Sequence, residues 1–125
     1  MPHSQRLLIV DDDRSFAHQL RAEAEPLGLA VETVDDPINF RPVLISWNPS
    51  IIAMDLVMPE ADGLELIGAC SRYEFKGPLI LMSGGFELYL KMAEQIARTA
   101  NLNVVAKLPK PFRPKQFSYL LMSLI

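Results

Sequence analysis

Two short apolar runs in this chain stop abruptly at carboxylates. Leu7 to Val10 runs into Asp11-Asp12-Asp13, and Ile51-Ile52-Ala53-Met54 runs into Asp55, after which Pro59 and Asp62-Gly63 turn the chain toward a helix. Short apolar runs bounded in this way read as strands buried on both faces, and such strands belong to a parallel sheet with helices on either side. Side chains at the carboxyl ends of those strands line the crevice where open α/β sheets bind ligands and do chemistry. Two acidic strand ends in one crevice call for a divalent cation.

The rest of the chain repeats the pattern. Short apolar runs alternate with longer segments of helical period, and the reading places strands near 6–10, 30–34, 50–54, 78–82 and 103–107. Helices fit near 14–27, 37–47, 63–75, 86–100 and 113–125, which makes five βα units and a doubly wound parallel α/β sheet. In the first helix Phe16, Leu20 and Leu27 face one way, and in the fourth Leu88, Met92 and Ile96 form a core stripe backed by Ala93, Ala97 and Ala100. Pro37 suits a first-turn position, but Pro42 removes an interior hydrogen bond, so the second helix should be bent or shortened.

Composition narrows the function. The 125 residues are half hydrophobic, enough for one compact core, and the charge of −3 with no basic patch argues against nucleic acid. Cys70 is the only cysteine and falls inside a helix, where it reads as a half-buried free thiol of a reducing compartment. No run reaches membrane-spanning length and the amino terminus lacks a signal-peptide core, so the expected location is cytoplasmic, away from membranes. The last helix finishes on Leu121-Met122-Ser123-Leu124-Ile125 without a capping glycine, and the expectation is that the native polypeptide continues. His3 and His18 should be exposed, while Trp47 and Tyr89 have no role beyond packing.

Polar residues mark four strand ends: Asp11 and Asp12 after the first, Asp55 after the third, Ser83 after the fourth and Lys110 just past the fifth. A strand order of 2-1-3-4-5 converges all of them on the switch point between strands one and three. With this set, the strings Leu-Ile-Val-Asp-Asp-Asp, Met-Asp-Leu-Val-Met-Pro-Glu-Ala-Asp-Gly, Leu-Met-Ser-Gly-Gly and Leu-Pro-Lys-Pro-Phe, in this order and spacing, resemble the receiver domain of two-component response regulators along essentially all of residues 1–125. The fold that the resemblance implies is flavodoxin-like. It also implies that Asp55 accepts a phosphoryl group from a phosphohistidine on a sensor histidine kinase or phosphotransfer protein, with Mg2+ as cofactor. By the same resemblance Asp12 and Asp55 bind magnesium directly, the Val57 backbone carbonyl adds a third protein oxygen, and Asp11 acts through a bound water. Ser83 and Lys110 would take phosphoryl oxygens, and the Lys110-Pro111 bond would be cis.

The chain also departs from the receiver pattern. Receivers commonly carry an aromatic residue three positions before the pocket lysine, and here that position is Lys107, which is expected to stay solvent-facing instead of swinging inward. Val57 and Gly85 offer no side-chain group to orient an attacking water, so self-dephosphorylation should be slow to moderate. The stretch from Ser83 to Pro111 is similar to receivers that precede EAL-type cyclic di-GMP phosphodiesterase domains, which makes a C-terminal output domain or a homodimer the expected recipient of the signal. Asp13 reads as a helix cap and Asp62-Gly63 as a turn. A haloacid-dehalogenase-like phosphatase would put its nucleophile at Asp11, but it also needs a late acidic pair, and no acidic residue follows Lys110. A third possibility, an interaction module with a vestigial pocket, is opposed by the intact set of Asp11, Asp12, Asp55, Ser83 and Lys110.

Overall fold

The computed structural model of the chain describes residues 5–59, 61–85 and 87–125, so His3 lies outside the described residues. Five strands, β1 (Arg6–Val10), β2 (Ala30–Val34), β3 (Ile51–Asp55), β4 (Pro78–Ser83) and β5 (Asn103–Pro109), pair in parallel in the order β2-β1-β3-β4-β5. This is the expected order, and each strand lies within one or two residues of its expected limits. The three inner strands are almost entirely apolar because both of their faces are covered, whereas the edge strands β2 and β5 carry Glu32 and Lys107.

Alternation along the inner strands divides the core in two. Leu7, Ile9, Ile51, Ala53, Ile80 and Met82 point to the side covered by α1 (Arg14–Ala24) and α5 (Pro114–Met122). Their neighbours Leu8, Val10, Ile52, Met54, Leu79 and Leu81 point to α2 (Phe40–Trp47), α3 (Gly63–Arg72) and α4 (Glu87–Thr99). Among the described residues no helix is long and apolar enough to cross a membrane.

The helices begin and end where local chemistry requires. Asp13 caps α1 by accepting from the Phe16 amide, and Asp62 caps α3 by accepting from the Leu64 amide, so Asp62 is a cap as well as part of a turn. A short antiparallel pair, Val57–Met58 against Ala61–Asp62, leads into α3 and was not expected from the sequence. Gly63 then passes so close to Leu56 that a Cβ would sit 2.7 Å from the Leu56 carbonyl oxygen. The second helix is shortened as expected: Pro37–Asn39 form a 3-10 turn, and Pro42 falls in the first turn of α2, where its missing N–H costs nothing.

Two apolar stripes differ from expectation. In α1 the buried side chains are Ala17, Leu20 and Ala24, with Phe16 only half-buried, and Leu27, also half-buried, falls past the end of α1 in a 3-10 turn over Glu25–Leu27. In α4 the core-facing set is Leu90, Ala93 and Ala97, while Leu88, Met92 and Ile96 are 68%, 49% and 42% exposed. The small residues let α4 lie close to the sheet and turn the bulkier stripe outward. Truncation should reveal the difference: Leu90→Ala should cost about 2–5 kcal/mol in urea unfolding, and Leu88→Ala no more than about 0.5 kcal/mol. Equal losses would restore the stripe to the core.

Candidate functional site

Asp11 and Asp55 extend the two inward series just described. The β1–β3 register pairs Leu7 with Ile51 and Ile9 with Ala53, so one further step sets Asp11 beside Asp55 on the α1/α5 side of the sheet edge. Ser83 ends β4 one residue after Met82, the register partner of Asp55. Asp11, Asp55 and Ser83 are the buried polar residues among those described, at 1%, 3% and 2% exposure.

Lys110 arrives by a less regular route. Between Leu79 and Ile80 the β4–β5 register slips by one residue, so that Leu79 pairs with Val104 but Ile80 pairs with Ala106. This bulge reverses the facing of every later residue of β5. Val104 packs on the α4 side, whereas Ala106 and Leu108 pack on the α1/α5 side, and Lys110 continues that second series. Its backbone N–H donates to the Ser83 carbonyl at 2.7 Å, which ties the end of β5 to the end of β4.

The carboxylates are held from both ends. Asp11 Oδ1 accepts from the Asp13 amide and Asp55 Oδ1 from the Val57 amide, each at 3.0 Å. Their other oxygens share one ammonium: Lys110 Nζ donates to Asp11 Oδ2 at 3.0 Å and to Asp55 Oδ2 at 3.2 Å. Asp12 is exposed at the rim, yet an oxygen from each of Asp11, Asp12 and Asp55 lies within 4.8 Å of the others. Ser83 Oγ accepts from the Gly85 amide at 3.1 Å, and the bare Gly84 faces the Lys110 side chain. The five residues singled out at strand ends are therefore gathered at one edge of the sheet, and the Lys110-Pro111 peptide is cis.

Charge explains the strain in this arrangement. Two carboxylates at ~4 Å repel by roughly 1 kcal/mol in water and about 4 kcal/mol at an effective dielectric near 20. One lysine among three carboxylates leaves a local excess of two negative charges. Burial raises the Asp11 pKa to about 6, against the lowering influence of the Asp13 amide and Lys110, and with a further rise from Asp55. Burial pulls the Lys110 pKa down, but its bonds and attraction to Asp11 and Asp55 outweigh this, so it sits above the ordinary lysine value. The donor set of hard oxygens suits a divalent cation of the magnesium type. A groove of about 260 Å³ lined by Asp12, Asp35, Asp36 and Met58 approaches the cluster from the β1–β2 side.

Several side chains play parts that sequence reasoning missed. Lys107 is not free in solvent: its Nζ lies 2.8 Å from Glu94 Oε1 on α4, because the bulge points it to that helix. Glu94 also accepts from Arg98 Nη2 at 3.0 Å, and Arg98 donates to the Val104 carbonyl at 2.9 Å. Tyr89 donates to Asp62 at 3.1 Å, joining α4 to the cap of α3. Lys110 Nζ stands 4.8 Å from the centre of the Phe16 ring. Cys70 is fully buried, with its thiol pushed up to about 12 by that burial, and plays no part in the site.

Comparison with known proteins agrees with this geometry. Residues 7–121 match the family described as the response regulator receiver domain. The response regulator MprA of Mycobacterium tuberculosis is 32% identical over 112 residues, which cover 87% of this chain and 45% of that protein. The chain thus spans about half the length of the curated relatives it matches. Among solved structures, a response regulator from Colwellia psychrerythraea is 33% identical with a TM-score of 0.83, covering 98% of this chain and 97% of its own. A receiver domain from Bermanella marisrubri is 26% identical with a TM-score of 0.76 and 98% coverage of both chains. The chain belongs to the response regulator receiver domain family. Its cluster of Asp11, Asp12 and Asp55 is consistent with the phosphoaccepting site of that family in two-component signalling.

The raised Asp11 pKa sets a pH dependence. An acid whose folded pKa lies above its unfolded value favours the fold while protonated, so its contribution is present below about pH 4 and is lost as pH rises through about 6. In metal-free buffer, urea unfolding of Asp11→Asn should therefore gain on the parent protein by about 1–2 kcal/mol between pH 4 and pH 7. A difference that stays flat, or runs the other way, would place the Asp11 carboxyl in the ordinary range.

Proposed function

We propose that this domain is a phosphorylation-dependent switch in which Asp55 accepts a phosphoryl group from the phosphohistidine of a sensor histidine kinase or phosphotransfer protein. The observation that carries the reading is a nearly buried carboxylate at the end of a central strand, with one oxygen on the Val57 amide and the other on Lys110 Nζ at 3.2 Å. That grip presents the carboxylate in one orientation to an incoming phosphorus. As the O–P bond to Asp55 forms and the P–N bond of the donor breaks, charge on the phosphoryl oxygens needs fixed donors. Lys110 supplies one, and the Ser83 hydroxyl with the amides around Gly84 and Gly85 supplies another. The absence of a side chain at Gly84 leaves space for the donor to approach.

Magnesium, held by Asp12 and Asp55 with Asp11 and the Val57 carbonyl in support, would neutralise the remaining phosphoryl charge. The fit rests on the three carboxylates and their uncompensated charge. A chain of this kind turns over only its own phosphoryl group, and further activity belongs to an output domain or partner.

Delivery of the signal follows the connections of Ser83 and Lys110. Phosphorylation adds roughly −1.5 to −2 charges at Asp55. Both responding residues lead to α4 and β5, one through the Gly84-Gly85 loop and the other through the strand itself. Glu94, bound to Lys107 and Arg98, joins those two elements where receivers commonly place an aromatic switch. The exposed stripe of Leu88, Met92 and Ile96 on α4 is the surface we assign to the receiving domain or subunit.

With acetyl phosphate and magnesium, the protein should gain one acid-labile phosphoryl group by mass spectrometry, and Asp55→Asn should gain none. A full adduct on the variant would move the acceptor elsewhere. Lys107→Ala should leave phosphorylation of Asp55 nearly unchanged while hastening amide exchange along α4. Loss of phosphorylation in Lys107→Ala would overturn the view that this lysine serves output alone.

A further inference from the structure

The ammonium of Lys110 rests on an aromatic ring as well as on two carboxylates. Phe16, in the first turn of α1, turns its ring toward Lys110 Nζ at 4.8 Å, and Phe112 meets that ring edge-on at 5.2 Å with an interplanar angle of 80°. Ala17 takes the core position next to it, so Phe16 is left half-buried at the rim of the site. The Lys110 side chain is only 19% exposed, which puts the cation and the ring in a partly dried environment. A ring face attracts a cation more strongly there than in open water.

The carboxylate partners of Lys110 do not remain available throughout phosphoryl transfer. Asp11 and Asp55 belong to the cluster suited to a divalent cation, and Asp55 gives up a free oxygen when it is phosphorylated. A cation on the carboxylates weakens the pull that now holds the ammonium, and phosphorylation then trades the Asp55 oxygen for phosphoryl oxygens in a new position. The face of Phe16 is unchanged by either.

We infer that Phe16 is a positioning residue for phosphoryl transfer, its ring keeping the Lys110 ammonium over the site when the carboxylates are otherwise engaged. The inference rests on the reading of Asp55 as phosphoacceptor. A cation–π contact of this kind corresponds to a population change of about 2- to 30-fold, and partial drying points to about tenfold.

The test compares Phe16→Leu, which keeps apolar bulk but has no ring face, with Phe16→Tyr, which keeps the face; Phe16→Met replaces the leucine variant if that one does not fold. The first reading is made in the resting protein by NMR. Lys110 ε-methylene protons should show an upfield ring-current shift in the parent and in Phe16→Tyr that disappears in Phe16→Leu. With magnesium saturating, Phe16→Leu should lose about tenfold in both the rate of phosphorylation by acetyl phosphate and the affinity for beryllofluoride, and Phe16→Tyr should stay within about twofold of the parent. A parent protein that takes up no phosphoryl group overturns the phosphoacceptor reading and this inference with it. A normally phosphorylated parent alongside an equally fast Phe16→Leu overturns this inference alone, as do equal losses in the two variants or a Lys110 shift indifferent to the ring.

Discussion

Three carboxylates gathered about one ammonium at a single sheet edge are the constraint on which this molecule is organised. Such a cluster opposes folding, because ionised groups lose hydration as they are buried and repel one another as they approach. The fold sustains it by satisfying each buried carboxylate twice, once through a backbone amide two residues ahead and once through Lys110. The apolar strands beneath supply the stability that the cluster consumes. What remains unbalanced is charge, and that residue of negative charge is what suits the site to a cation.

The bulge in β5 decides how Lys107 on that strand and Lys110 just past its end are used. Lys107 and Lys110 are three residues apart, so they face opposite ways along a regular stretch of strand. Because the extra residue precedes both, it assigns Lys110 to the acidic site and Lys107 to Glu94 on α4. A strand without the bulge would exchange those assignments and leave the site without its cation. The pocket and the α4 contact are thereby joined through a few residues of backbone.

Much of this was legible in the sequence, because strand ends are marked by chemistry that changes sharply. The apolar runs ending at Asp11 and Asp55 located β1 and β3, the same contrast located Ser83 and Lys110, and the family resemblance supplied the strand order. The α4 stripe misled for a physical reason. Leu88, Met92 and Ile96 repeat at helical spacing, but Leu90, Ala93 and Ala97 do too, and period alone does not say which of two stripes is inward. Small side chains won because they allow closer approach to the sheet. The pairing of Lys107 was hidden by a bulge that leaves no mark in composition. Phe16 was read as core because an aromatic residue at helical spacing looks the same whether it packs on a sheet or on a cation.

The position of Trp47 determines what light can report about this protein. It ends α2 at the amino edge of the sheet, where Arg6 donates to its carbonyl at 2.6 Å and lies over its ring at 5.7 Å. The length of β1, roughly 15 Å at the usual rise per residue, separates that edge from Asp11. The only tryptophan in the chain is thus anchored to the end of the sheet remote from the acidic cluster. Its emission should follow the opening of the whole fold far more than events among the carboxylates, so intrinsic fluorescence would serve this domain as a gauge of integrity, and occupancy of the site is better observed by NMR or by an introduced dye.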